Sequence, residues 1–283
     1  MTSQQPGPLI VDRRLHLDRA TLVLALTGWM DGGDVSTGTV QRLIDLLGAK
    51  PIGHIDPEPF YIYNLPGSME VAALFRPFAQ IEAGQIKSFD LPSNRFFVHE
   101  PAKLVFFVGK EPNIAWRSFG DCILWLAAEV GVERIVFVGS FGGSVPHTRE
   151  PRLFVSSSDP ARLPDLERRY GLKPSTYQGP GLFSTYLMTR AEPAGMEMIS
   201  LVAEIPSYLQ GTNPLSIEAV TRRLAKILQL PLELDELRAA STQWELQVTA
   251  AVEENAEMAK TVRDLEEAYD NELLQQETSE EQP

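Results

Sequence analysis

The chain has 283 residues, of which 43% are hydrophobic and 22% charged, the balance of an ordinary globular protein long enough to bury a core. A net charge of −13 argues against a nucleic-acid partner, and a lone cysteine excludes an intrachain disulfide. No run of 18 uncharged apolar residues marks a membrane span, and the opening "MTSQQPGPLIVDRR" has no apolar signal core, so a cytoplasmic protein is expected.

The charge is unevenly placed. Residues 233–283 carry 15 Asp and Glu against 3 Lys and Arg, a net of −12, which leaves −1 for the other 232. The expected organisation is an N-terminal segment (1–20), an α/β domain (21–232), an acidic heptad-patterned helical extension (233–274) and a disordered tail (275–283).

Within the domain one theme repeats: a short apolar run, a loop, then a helical pattern. "TLVLALTGW" leads through "MDGGDVSTG" to "TVQRLIDLLG", with Asp34 placed as an N-cap and Gly48 as a C-cap. Residues 51–100 are shorter, aromatic and Pro-punctuated, which suits short strands at an antiparallel edge. "GSMEVAALFRPF" reads equally as helix or strand. "KLVFFVG" leads through "KEPNIAWRSF" to "GDCILWLAAEVG", whose Cys122 sits among apolar residues as a small buried hydrophobe. "RIVFVG" leads to "SFGGSVPHTREP", and "EMISLVAEI" leads through "PSYLQGTNP" to "LSIEAVTRRLAKILQL". Continuous apolar runs suit strands buried on both faces, and their alternation with helices predicts a three-layer α/β sandwich around a mostly parallel sheet.

From Leu237 to Tyr269, seam positions recur at spacings of 4 and 3: Trp244, Val248, Asn255, Met258, Val262 and Leu265 among them. Two readings stay open. The helix lies on its own body, or it pairs with a neighbouring subunit with Asn255 fixing the register.

In an open α/β sheet, ligands bind beyond the carboxyl ends of the strands. Four loops fall there: Gly28–Gly38, Gly109–Phe119, Gly139–Arg149 and Pro206–Gly211. The first is neither a P-loop nor a dinucleotide fingerprint. Its Asp31 repels phosphate unless a cation intervenes. The second brings Glu111, Asn113 and Arg117 together, either as a Glu111–Arg117 pair holding the loop or as a cleft for a carboxylate or amide. The third has no G-x-S-x-G elbow, so Ser140 and Ser144 are not expected nucleophiles. His147 and Arg149 are loop anchors or ligand contacts. No spacing suggests a metal site, and no cofactor is expected.

"GWMDGGDVS", "EPNIAWRSF", "VPHTR", "YQGPGL" and "IPSYL" occur in that order before a long charged C-terminal helix. Together they resemble the proteasome assembly chaperone 2 family in its bacterial branch, over roughly Leu22 to Asp270. The resemblance implies a fold similar to nucleoside phosphorylases, a homo-oligomer (often a trimer) and no established enzymatic activity. Three positions depart from the family pattern toward neutral residues: Ser144, Gln178 and Ser207. That tips the expectation toward a non-catalytic chaperone-like or scaffold protein. Some archaeal relatives dock on the proteasome through a C-terminal hydrophobic–Tyr–any motif, and "SEEQP" does not supply it. The alternative is a binding protein or enzyme for a small anion or nucleoside-like ligand, with Asp31, Glu111, Asn113, Arg117, His147, Arg149, Tyr177, Gln178 and Tyr208 lining the cleft.

Overall fold

A computed structural model describes residues 4–280, with side chains through Gln275. In chain order the strands are β1 (Leu9–Val11), β2 (Ala20–Thr27), β3 (Lys50–Ile55), β4 (Phe78–Glu82), β5 (Gln85–Asp90), β6 (Arg95–His99), β7 (Leu104–Lys110), β8 (Val132–Gly143), β9 (Leu153–Ser157), β10 (Lys173–Pro174) and β11 (Glu197–Pro206). The helices are α1 (Val35–Leu47), α2 (Met69–Ala73), α3 (Trp116–Val130), α4 (Leu163–Tyr170), α5 (Phe183–Ala191), α6 (Pro214–Ile227), α7 (Asp235–Glu253) and α8 (Ala256–Glu280).

Nine strands form one sheet in the order β1-β3-β6-β7-β2-β8-β11-β9-β10. The four apolar runs β7, β2, β8 and β11 are adjacent and parallel at its centre, where both faces are covered and alternation is not needed. The margins are different. β1, β3 and β6 pair antiparallel, as the Pro-punctuated sequence suggested, and β9 is antiparallel to β11. The sheet is therefore mixed, with parallel pairing concentrated in the middle. β9 and β10 were not foreseen, because "LFVSS" and "KP" are too short to show a period. The N-terminal segment is part of the sheet through β1 rather than separate from it.

The sheet is the middle of three layers. Leu22, Leu24, Phe107 and Phe137 meet α3 and α5 on one face; Val23, Phe106, Val136 and Leu201 meet α1, α4 and α6 on the other. Cys122 is fully buried on α3 in the first core, and burial pushes its thiol up to about 12, so it is the inert apolar residue the sequence suggested.

Helix boundaries follow glycine. Gly48 and Gly131 cap α1 and α3 with φ of 63° and 86°, the left-handed region glycine adopts without strain. Asp34 precedes α1 but makes no side-chain cap. Asp31 takes that role: its carboxylate accepts from the Thr37 amide (3.0 Å) and hydroxyl (2.7 Å).

The acidic extension is two helices, not one. The chain breaks at Glu254–Asn255, and the Asn255 side chain accepts from the Glu257 and Met258 amides at 3.1 Å each. Asn255 therefore caps α8 instead of setting a register inside a seam. α7 packs on α6, and α8 packs back on α7. α8 runs through Glu280, into the segment read as a disordered tail; residues 281–283 of that segment lie outside the described residues.

Candidate functional site

Because β2, β7, β8 and β11 are parallel, their carboxyl ends share one rim, and the four loops do converge there. Their boundaries are shorter than the sequence implied. β8 extends to Gly143, so "GSFGG" is strand, paired with Val202–Pro206 of β11. The loop proper starts at Ser144. Likewise Gly109 and Lys110 belong to β7, and Trp116 onward to α3.

The loops are held by one another. The Ser140 amide donates to the Met30 carbonyl (2.8 Å) and its hydroxyl to the Gly32 carbonyl (2.7 Å). The Asn213 amide donates to the Gly33 carbonyl (2.8 Å), and its side chain caps α6 by accepting from the Ser216 amide (2.9 Å). Ser140 is thus fully buried and structural. Asp31 sits beneath this junction, and burial, helped by the nearby Asp34 charge, pushes its carboxyl up to about 6.

Glu111 does not pair with Arg117. Its two carboxylate oxygens accept from the Phe183 amide at the start of α5 (3.0 Å) and, more weakly, from the Trp29 amide (3.4 Å). Asn113 accepts from the Ile62 amide (3.1 Å). Both side chains tie loops down. The Arg117 side chain is exposed, while its carbonyl accepts from Arg190 (3.0 Å).

His147, Arg149 and Tyr208 come together, but the C-terminal helices cover them. His147 is only 1% exposed. Its Nδ1 lies 2.7 Å from the Tyr208 hydroxyl and its Nε2 3.1 Å from Thr249 Oγ1 of α7. The Tyr208 oxygen already accepts from the His147 amide (2.9 Å). A neutral ring satisfies all three contacts: Tyr208 donates to Nδ1, and Nε2–H donates to Thr249. Burial lowers the His147 pKa, with Glu266 opposing, which favours that neutral form.

α8 is fastened by charge. Arg149 makes two 2.9 Å bonds to Asp270. Thr148 donates to Glu266. Arg152 bridges Glu204 (3.1 Å) and Glu272 (2.7 Å) and stacks 4.5 Å from the centre of the Tyr269 ring. Lys173 also reaches Glu272 (2.7 Å). These carboxylates were missed as site residues; the excess of acid in 233–283 was the only sequence signal for Glu266, Asp270 and Glu272, and Glu204 on β11 had none. Of the seam positions, Val262 is buried, Trp244, Val248, Met258 and Leu265 are half-buried, and Asn255 is exposed. The helix pair lies on its own body within one chain.

A second feature lies along the same rim. A cavity of about 500 Å³ opens beside α5, over β8, β11 and β9. Trp29, Met30, Phe141, Phe154, Tyr177 and Met188 line it, and no residue of its wall is charged. Trp29 is 66% exposed and Tyr177 62%. Tyr177 donates to the Pro180 carbonyl (3.0 Å), and Gln178 is exposed beside it. Of the residues lining the cavity only Tyr177 was anticipated as a cleft residue; Gln178, anticipated with it, is not part of the wall. The others come from separate strands and loops, and no local pattern joins them. Among the described residues no group of three or more His, Cys, Asp or Glu could hold a metal ion, and no helix is long and apolar enough to cross a membrane.

Comparison with known proteins agrees with this architecture. The PAC2 family profile matches residues 25–252. No curated protein matches. A solved structure of a Mycobacterium tuberculosis protein of unknown function is 24% identical, with a TM-score of 0.83, covering 99% of this chain and 94% of that one. A proteasome-assembly chaperone homologue from the same organism is 28% identical, with a TM-score of 0.73, covering 86% and 99%. A PAC2 family protein from Streptomyces avermitilis is also 28% identical, with a TM-score of 0.70 over the same shares. The match spans most of the chain, from the end of β2 through the other central strands and the rim loops to α7, and the chain belongs to the PAC2 family.

Proposed function

We propose that this protein is a non-catalytic, chaperone-like scaffold that works by holding protein surfaces. One observation carries the reading: of the charged side chains proposed for the cleft, every one except the exposed Arg117 is already committed to internal partners. Asp31 caps α1, Glu111 holds Trp29 and α5, and His147, Arg149 and Tyr208 anchor the C-terminal helices. A general acid or base must reach its substrate within hydrogen-bond distance, and these are occupied or covered. The proteasome-assembly chaperone homologue at 28% identity adds support.

In its finer form the reading is a cytoplasmic homo-oligomer, with a trimer favoured by the family resemblance, on a fold akin to the nucleoside phosphorylases. The test uses tagged full-length protein, recovered from a native lysate of its own organism and passed over light scattering. A foreign protein at stoichiometric level is expected. No captured protein, together with a specific thermal shift and turnover of one compound from a metabolite panel, would overturn the scaffold reading.

A further inference from the structure

The uncharged cavity beside α5 has a floor that the sheet register explains. On β11, Met198 packs in the core under α5, while Ile199 and Leu201 face the opposite core. Alternation along the strand therefore puts Ser200 and Val202 on the α5 face. On β9, Val155 faces the opposite core, so Phe154 and Ser156 share the α5 face. The antiparallel register sets Ser200 across from Ser156 and Val202 across from Phe154, and all four line the cavity. Two serines thus stand side by side on a sheet face that is otherwise apolar.

A third hydroxyl joins them. Ser184, in the first turn of α5, also lines the cavity and is only 5% exposed. Among the described residues, no side-chain hydrogen bond reaches Ser156, Ser184 or Ser200. Buried polar groups are ordinarily hydrogen-bonded, and leaving one unpaired costs stability. These three hydroxyls are aimed into a space where a ligand can supply the missing bonds.

The rest of the wall narrows the chemistry of that ligand. The volume of about 500 Å³ falls in the range of small-molecule sites. Trp29, Phe141 and Tyr177 are exposed at the mouth, and the Phe141 and Phe154 rings lie 5.8 Å apart, so a flat ring finds aromatic faces to pack on. With no charged residue in the wall, an ion of either sign would be buried without a partner. A hydroxyl both donates and accepts, which suits an amide edge with a donor beside an acceptor.

We propose that this cavity binds an uncharged, planar aromatic molecule bearing an amide edge. The ring packs among Trp29, Phe141 and Tyr177, and the amide bonds to Ser156, Ser184 and Ser200. The site is distinct from the covered His147–Arg149 region, and its chemistry rejects phosphorylated and carboxylate ligands. The proposal goes beyond the scaffold reading and does not depend on it, since binding without turnover leaves that reading intact.

The test measures binding to the full chain by saturation-transfer NMR, with probes that share a ring and differ in charge. Nicotinamide is compared with nicotinate and 1-methylnicotinamide, and the larger 2-naphthamide with 2-naphthoate. Both amides are expected to bind, and every charged probe at least about tenfold more weakly. The chain's net charge of −13 attracts the methylpyridinium, so its weaker binding would report the cavity rather than the long-range field. Ser156→Ala/Ser200→Ala should weaken the amides about tenfold with no fall in melting temperature, because these hydroxyls hold nothing inside the chain. A purely structural pair of serines would instead lower the melting temperature. Val202→Trp, which fills the cavity from its floor, should abolish binding. The proposal is overturned if neither amide binds, if a charged probe binds as well as its amide, or if amide binding survives in both variants.

Discussion

The Arg149 guanidinium and the Asp270 carboxylate meet through two bonds of 2.9 Å, across 121 residues of chain. This fork is the most directional of the contacts that hold α8 on the rim. Arg149→Ala should loosen α8 without unfolding the sheet. Limited proteolysis should cut between residues 254 and 275 several-fold faster in the variant. The pair is partly exposed, so added salt should speed cleavage of wild type and narrow the difference. Equal rates at low salt would show that α8 is held by its apolar side alone.

Asp31 gives a pH signature with a definite sign. Its carboxyl is raised from 3.8 to about 6 in the fold, so the folded state binds the proton more tightly than the unfolded chain. The stability it contributes is complete below 3.8 and is lost as pH rises through about 6. Asp31→Asn keeps an acceptor for the Thr37 amide and removes the buried charge. The variant should exceed wild type by about 1–2 kcal/mol at pH 7.5, with the gain vanishing at pH 4. Urea unfolding at both pH values measures it, and a gain independent of pH would contradict the assignment.

His147 has the opposite dependence. Its lowered pKa means that the unfolded chain takes the proton first as pH falls below its ordinary value. Stability from the neutral ring is present above that value and is lost as pH falls toward the folded pKa. Protection of the α7 amides, taken relative to their intrinsic exchange at each pH, should therefore fall between pH 7.5 and 5.5, and His147→Gln should flatten that change.

Glu111→Ala should cost about 1–3 kcal/mol, because it leaves the Phe183 and Trp29 amides without their acceptor. Glu111→Gln should cost less, since its single amide oxygen serves one of the two donors. Trp29 is exposed, so its fluorescence reports the loosened loop directly. An unchanged spectrum in Glu111→Ala would mean that packing alone holds Trp29.

Gly143→Ala tests the end of β8. A Cβ there would lie 2.2 Å from Glu204 Oε1 and 2.4 Å from its Cγ. Glu204 accepts from the Ser144 amide (2.7 Å) and pairs with Arg152, so it cannot withdraw freely. A loss of about 1–3 kcal/mol is expected in thermal or urea unfolding.

Much of the fold could be read directly. "TLVLALT", "KLVFFVG", "RIVFVG" and "EMISLVAEI" are apolar without alternation, which only a strand covered on both faces tolerates. Gly48 and Gly131 mark helix ends by chemistry that is local to them. β9 and β10 escaped because two to five residues carry no period, and "GSFGG" read as a loop because three glycines outweigh one ladder of partners that lies 63 residues away on β11.

The sequence by itself determined the central parallel strands, the helices between them, the inert place of Cys122 and the convergence of four loops on one rim, because each rests on local period or on topology. Only the tertiary structure decided what that rim contains. The 4 and 3 spacing continues unbroken through Asn255, although the chain bends there, since a helix break changes direction without changing the count. Fifteen carboxylates in 233–283 are equivalent in composition, and only packing selects Asp270 for Arg149 and Glu272 for Arg152. Trp29, Phe141 and Phe154 likewise form one cavity because β2, β8 and β9 lie near one another in the sheet, a relation set by long-range pairing that no short stretch of chain records.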